Sequence, residues 1–147
     1  MKSRGWFKIT KAGNQYSWFV KNQETDILRA RTVQAWYGVT VLPFAYIAIG
    51  TDDTIPAQTQ AALFAEVLRF FAASVVETTA VAGDTLHLTV QFVAAIPMSI
   101  FELGVFDAAV GGNMAARAVH IDENGNSSAF NIGVGEGITL EYFLQAL

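Results

Sequence analysis

Thr85, His87, Thr89 and Gln91 alternate with Leu86, Leu88, Val90 and Phe92. A period of two sends successive side chains to opposite faces, so this stretch reads as a half-buried strand, the clearest in the chain. The turn Ala82-Gly83-Asp84 joins it to the β-branched residues 74–81, making a long antiparallel hairpin. A second hairpin is aromatic: Trp6 and Lys8 alternate with Phe7 and Ile9, the chain turns through Lys11-Ala12-Gly13-Asn14, and residues 16–20 return. Residues 100–106 and 114–121, joined by Ala108-Ala109-Val110-Gly111-Gly112-Asn113, make a third. The apolar run at residues 44–49, bracketed by Pro43 and Gly50, predicts a strand buried on both faces. Residues 137–144 form the last strand, and the polar residues 122–128 a solvated loop.

Two segments leave this pattern. Ile27, Leu28, Val33, Trp36 and Tyr37 recur near helical spacing, with Thr25 or Asp26 as a cap and Gly38 as a stop, predicting a helix over residues 25–36. Ala61, Leu63, Phe64, Val67 and Leu68 form a second helical stripe that starts near Thr59 and runs on through Phe71. Short strands joined by Gly- and Asn-bearing turns, with one or two helices, predict a mainly β chain, an antiparallel β-sandwich of jelly-roll-like type. With no linker or internal repeat, residues 1–147 read as a single domain.

Composition adds a surface problem to this fold. Hydrophobic residues make up 52% of the chain and charged residues 15%, against about 25% charged in ordinary soluble domains. Too few charges remain to cover a monomer, so apolar surface is expected to face a partner. A membrane is not the expected partner, because the longest apolar stretch, residues 41–49, is half the length of a spanning helix and contains Pro43. The basic opening Met1-Lys2-Ser3-Arg4-Gly5-Trp6 is followed by Lys8, Lys11, Asn14 and Gln15 in place of an apolar core, so no secretory signal is expected. The absence of cysteine fits assembly in a reducing cytoplasm. A net charge of −4 with nine scattered Lys and Arg leaves no nucleic-acid footprint.

Candidate chemistry is sparse. The two histidines, His87 and His120, both fall within predicted strands and read as surface or interface residues. No G-x-S-x-G elbow exists for a nucleophilic serine. Gly133, Gly135 and Gly137 lack the Lys-Ser/Thr of a phosphate loop and precede a strand. Asp122-x-Asn124-Gly125-Asn126 resembles the start of a calcium loop, but Gly133 stands where the bidentate acid is needed, so a plain Asn-Gly turn is the preferred reading. Glu102 is a lone acid in an apolar strand, either on a wet face or, the favoured version, buried and anchored by backbone N–H groups or by Arg117. The expectation is no catalytic residue, cofactor or metal, with Glu102 and Arg117 structural. The aromatic surplus points to contacts at Trp6, Phe7, Trp18, Phe19, Trp36 and Tyr37.

From Tyr46-Ile47-Ala48-Ile49-Gly50-Thr51 onward the sequence resembles a group of small virion proteins of tailed phages. The similarity continues through a Pro-Ala loop and the Thr59-x-x-x-Leu63-x-x-Glu66-Val67 segment. It is most specific at Glu102-Leu103-Gly104-Val105-Phe106-Asp107-Ala108-Ala109-x-Gly111-Gly112-x-Met114-x-Ala116-Arg117, and it covers about residues 22–120. The chain departs from the group's pattern at Asp52, often Gly, and in its last strand, usually richer in Thr and Val. The resemblance implies a β-sandwich component of a phage particle without catalytic residues, assembled in the host cytoplasm. A capsid decoration or cement protein is the first expectation and a tail-fibre, tail or baseplate component the second. Capsid or tail proteins and copies of the chain itself are the expected partners. The hairpin at residues 5–20 looks like an addition to the group's pattern and is the first candidate for a docking arm. Outside the resemblance, a carbohydrate-binding module using exposed Trp and Tyr is a further alternative, and an enzyme the least favoured class.

Overall fold

A computed structural model describes residues 3–11, 13, 15–19 and 21–147; the side chains of residues 19, 21 and 22 lie outside that description. The chain runs through β1 (Ser3–Lys11), β2 (Gln15–Phe19), β3 (Lys21–Glu24), α1 (Asp26–Trp36), β4 (Tyr46–Gly50), β5 (Glu66–Phe71) and β6 (Ala73–Glu77). It continues through β7 (Thr85–Val93), β8 (Met98–Ile100), β9 (Glu102–Phe106), β10 (Met114–Val119), β11 (Phe130–Ile132) and β12 (Gly137–Ala146). One antiparallel sheet has the order β2-β1-β12-β7-β6 and a second the order β3-β10-β9-β4-β5, while β8 and β11 form a small third sheet. The main core lies between the two large sheets: Phe7, Ile9, Leu88, Val90, Leu140 and Tyr142 of the first pack on Ile47, Ile49, Leu103, Val105, Ala116 and Ala118 of the second. Mainly β, antiparallel and sandwiched, this is the fold class the strand pattern predicts.

Alternation explains the first sheet. Inward residues of β1, β7 and β12 come into register as Phe7↔Tyr142↔Leu88 and Ile9↔Leu140↔Val90, so every second position meets an apolar partner. In the second sheet β9 and β10 are buried at every position, because the outer face is covered too. Leu63 lies over Gly104, where an added Cβ would come within 2.8 Å of Leu63 Cδ2, and joins Ala48, Phe106 and Met114 in a smaller outer cluster.

That cover corrects the second predicted helix. Residues 57–65 are irregular, and β5 begins at Glu66 and pairs with β4 through Ile47↔Phe70 and Ile49↔Leu68. The N–H groups of Phe64 and Ala65 donate to the Glu102 carboxylate, at 3.3 and 2.8 Å. Donors spent on a distant carboxylate are unavailable to a helical ladder. The predicted strand at 100–106 is likewise interrupted at Phe101, whose N–H bonds Gly50 O at 3.0 Å as the chain passes from β8 to β9.

Helix α1 forms where its sequence signals place it. Thr25 is the N-cap, its hydroxyl accepting from Leu28 N at 3.4 Å and donating to Met114 O at 2.5 Å. At the far end Gly38 takes φ 76°, with its N–H on Ala35 O and the Val39 N–H on Gln34 O, a pairing that favours glycine. The helix buries only Leu28. It is held mainly through Thr25 and an Arg31–Asp107 ion pair of 2.9 Å.

Candidate protein–protein interface

The aromatic residues of the first hairpin divide between two faces. Phe7 is 0% exposed and packs on Tyr142 with ring centroids 4.5 Å apart, so it is a core residue and is unavailable for contacts. The expected contact at Phe7 is thereby corrected: alternation turns Trp6 outward and Phe7 inward. Phe19, opposite Phe7 in the register, has a side chain outside the described residues. The hairpin is also no protruding arm, since β1 pairs with β12 from Ser3↔Ala146 to Lys11↔Ile138 and is an inner strand of its sheet.

The outer face of this sheet carries a row of rings. Trp6 stacks on Phe143 at 5.3 Å, Trp18 leans on the same ring at 6.4 Å, and His87 stacks on it at 4.1 Å. Arg4 lies over Trp6, and Lys8 lies over Tyr16 at 4.8 Å and Trp18 at 5.1 Å. His87 is held between Glu77 and Glu141, at 2.8 and 3.1 Å. Tyr16 and Trp18 are exposed, while Trp6 is half-buried by its neighbours.

Two further apolar regions face solvent. At the end of α1, Trp36 and Tyr37 are 69% and 85% exposed, and Val33, Val39 and Leu42 extend the patch. On another flank β5 and β6 are the terminal strands of their sheets, joined through Ala72, so each has one paired edge and one open edge. Val67, Phe71, Val75 and Val76 stand exposed along this ribbon, Phe71 at 71%. An open apolar edge presents both unpaired backbone groups and hydrophobic surface to another chain. The helix expected through Phe71 leaves this edge unforeseen, since residues 66–71 are strand β5.

Several buried charged side chains are engaged with polar neighbours. Glu102 and Arg117 form an ion pair of 2.6 Å, and both are buried. Arg117 also donates to Thr54 O and Asp52 O, its guanidinium 4.9 Å from the centre of the Phe64 ring. The Asp52 carboxyl is held below its ordinary range by the Thr54 hydroxyl first and the Thr54 N–H second, with Arg117 adding attraction and burial opposing. Asp107 accepts from Arg31 and from the backbone N–H and side-chain amide of Asn113, the last two at 2.7 and 2.9 Å. Glu102, Asp107 and Arg117 thus supply buried ties, and Gly50 and Gly112 leave room beside the carboxylates of Glu102 and Asp107.

His120 contacts Ser17 Oγ through Nε2 at 2.6 Å and Ser128 O through Nδ1 at 2.7 Å. Ser17 and His120 belong to opposite sides of the sandwich, and this contact links them. Asp122 Oδ1 accepts from Asn124 N and Asn126 N, so the loop turns on its own carboxylate. Among the described residues no group of three or more His, Asp or Glu side chains converges on a metal position. No helix among them is long and apolar enough to cross a membrane. Comparison with models of protein families, with curated proteins and with solved structures gives no match.

Proposed function

We propose that this chain is a structural component of a tailed-phage particle, a capsid decoration or cement protein that works by protein–protein contacts. One observation carries the assembly part of the reading: a continuous β5–β6 flank with two open edges and exposed Val67, Phe71, Val75 and Val76. Surfaces of this kind are normally blunted by charge, proline or a covering element in proteins that remain single. Trp36 and Tyr37 add the large, rigid side chains that dominate interface energetics. The phage part rests on the similarity of residues 22–120 to small virion proteins, whose shared motifs here supply the internal ties of the fold. Copies of the chain and neighbouring capsid subunits are the partners in this reading. Gold-labelled antibody against the chain, applied to intact particles, tests it. Labelling over the whole head supports a cement role; labelling confined to the tail assigns a fibre, tail or baseplate component instead.

A second reading has its own observation. Trp6, Tyr16 and Trp18 lie on one sheet face beside Arg4, Lys8 and Glu141, an arrangement on which a sugar ring can stack and hydrogen-bond. Saturable quenching of tryptophan fluorescence by glycans, lost in Trp18→Ala, supports carbohydrate binding. No quenching across a glycan panel excludes it.

A further inference from the structure

Strand β6 ends the first sheet. One edge pairs with β7 from Ala73↔Thr89 to Glu77↔Thr85, without a bulge, and among the described residues no strand pairs with the other. Ala73, Ser74, Val75 and Val76 are all exposed. Open edges are ordinarily guarded by proline, by charge or by a bulge. Here the only charge is Glu77 at the strand's end, and its carboxylate is drawn back to His87 Nδ1 on the neighbouring strand, at 2.8 Å. Charge also decides what can approach. With a net charge of −4 the chain repels its own copies over much of its surface. On this flank the carboxylates are already engaged, Glu77 by His87 and, on the adjoining β5, Glu66 by Arg69 at 2.7 Å.

We propose that β6 pairs with β6 of a second copy, antiparallel about a twofold axis normal to the sheet; this rests on the assembly part of the proposed function and names the partner of that edge. Such an axis leaves every side chain on its own face, so one residue must stand opposite itself. Centring on Val75 overlaps the whole strand: Val75 meets Val75, Ser74 meets Val76, and Ala73 meets Glu77. The two Glu77 residues then lie about 13 Å apart along the strands, beyond the Debye length of about 10 Å at 0.1 M salt. Moving the centre to Val76 would bring them to about half that distance. Self-pairing at Val75 therefore sets apolar residues against apolar ones and like charges at opposite ends. Val67 and Phe71, exposed on β5 and reached from β6 through Ala72, widen the apolar contact beyond the ladder.

The chain contains no cysteine, so single introduced cysteines report the pairing directly. Facing Cα atoms of an antiparallel pair lie about 4.5–5.5 Å apart, within reach of a disulfide. Val75→Cys in the purified full chain is expected to form a covalent dimer on mild oxidation. Its rate should exceed that of Val81→Cys, a comparably exposed position in the turn after β6, by on the order of tenfold or more. Ser74→Cys and Val76→Cys should cross-link when mixed and only slowly when each is alone. Circular dichroism melts establish that each variant is folded. The proposal is overturned if Val75→Cys cross-links no faster than Val81→Cys, or if Ser74→Cys alone cross-links as fast as the mixture. Oligomers in sedimentation without the Val75 cross-link overturn this pairing and leave the assembly reading standing.

Discussion

Arg117 is among the largest fully buried side chains of the described residues, and its charge is balanced within a few ångströms by Glu102. Breaking such a pair by removing one member leaves an uncompensated buried charge, a loss of about 3–5 kcal/mol. Arg117→Met is expected to destabilise by that order in urea unfolding. Glu102→Gln in the same background should recover part of the loss, because an amide oxygen still accepts the Ala65 N–H without carrying a charge. Gly50 guards the same node from the other side. An added Cβ would collide with the Glu102 carboxylate and lie 2.6 Å from Ala65 O, a backbone atom that cannot step aside. Gly50→Ala is therefore expected to lose about 1–3 kcal/mol through overpacking, read from the same denaturation curves.

Among the elements, α1 depends unusually on its cap. Thr25 closes the first turn and also bonds the carbonyls of Met114 and Ala115, so Thr25→Ala removes cap and anchor together. The expected loss is about 1–2 kcal/mol, with faster amide hydrogen exchange in α1 than in β9 or β10. The turn between β6 and β7 depends instead on Asp84, whose carboxyl is held well below the usual carboxylate range, chiefly by the Thr79 N–H and then by those of Ala80 and Val81, against an opposing burial effect. A depressed folded-state pKa means that the carboxylate stabilises the fold above the ordinary value of about 3.9 and that this contribution fades as pH falls through the folded-state value. Asp84→Asn should melt below the wild type at pH 7, and the gap should begin to narrow below about pH 4 and close only as pH falls to the folded-state value.

The same elements show what local pattern can convey. The alternation of β7 and the capping signals of α1 are local, and both are readable in the sequence. Residues 59–71 were not, because their apolar spacing fits a helix while the deciding partners, Glu102 for the N–H groups and β4 for the strand, are remote in the chain. Phe7 was misassigned for a related reason: two adjacent aromatics leave the inward one undecided until β12 fixes the register. The flank formed by β5 and β6 is harder still to foresee. Which strand ends a sheet depends on strand order, and strand order leaves no local periodicity.

At the scale of the whole molecule, an assembly role makes a direct demand on that flank. Phe71→Lys with Val76→Lys puts two charges on exposed positions of the open edges, and lysine on an edge strand opposes pairing with another chain. Sedimentation velocity is expected to show oligomers for the wild type and monomers for the double variant, with unchanged far-ultraviolet circular dichroism. Monomeric wild type at high concentration would remove self-association from the reading while leaving capsid subunits as partners. The pairing of β1 with β12 has a consequence of a different kind. Strands from opposite ends of the sequence lie side by side, Ser3 against Ala146, and β12 also joins β1 to β7. During synthesis the second sheet can gather once β10 has emerged, but β1 cannot meet its partner β12 until that strand has left the ribosome. Contacts so distant along the chain make for slow closure, on the order of milliseconds to seconds. In that interval the aromatic residues of β1 are exposed in a nascent chain, a hazard that chaperones at the ribosome are suited to shield.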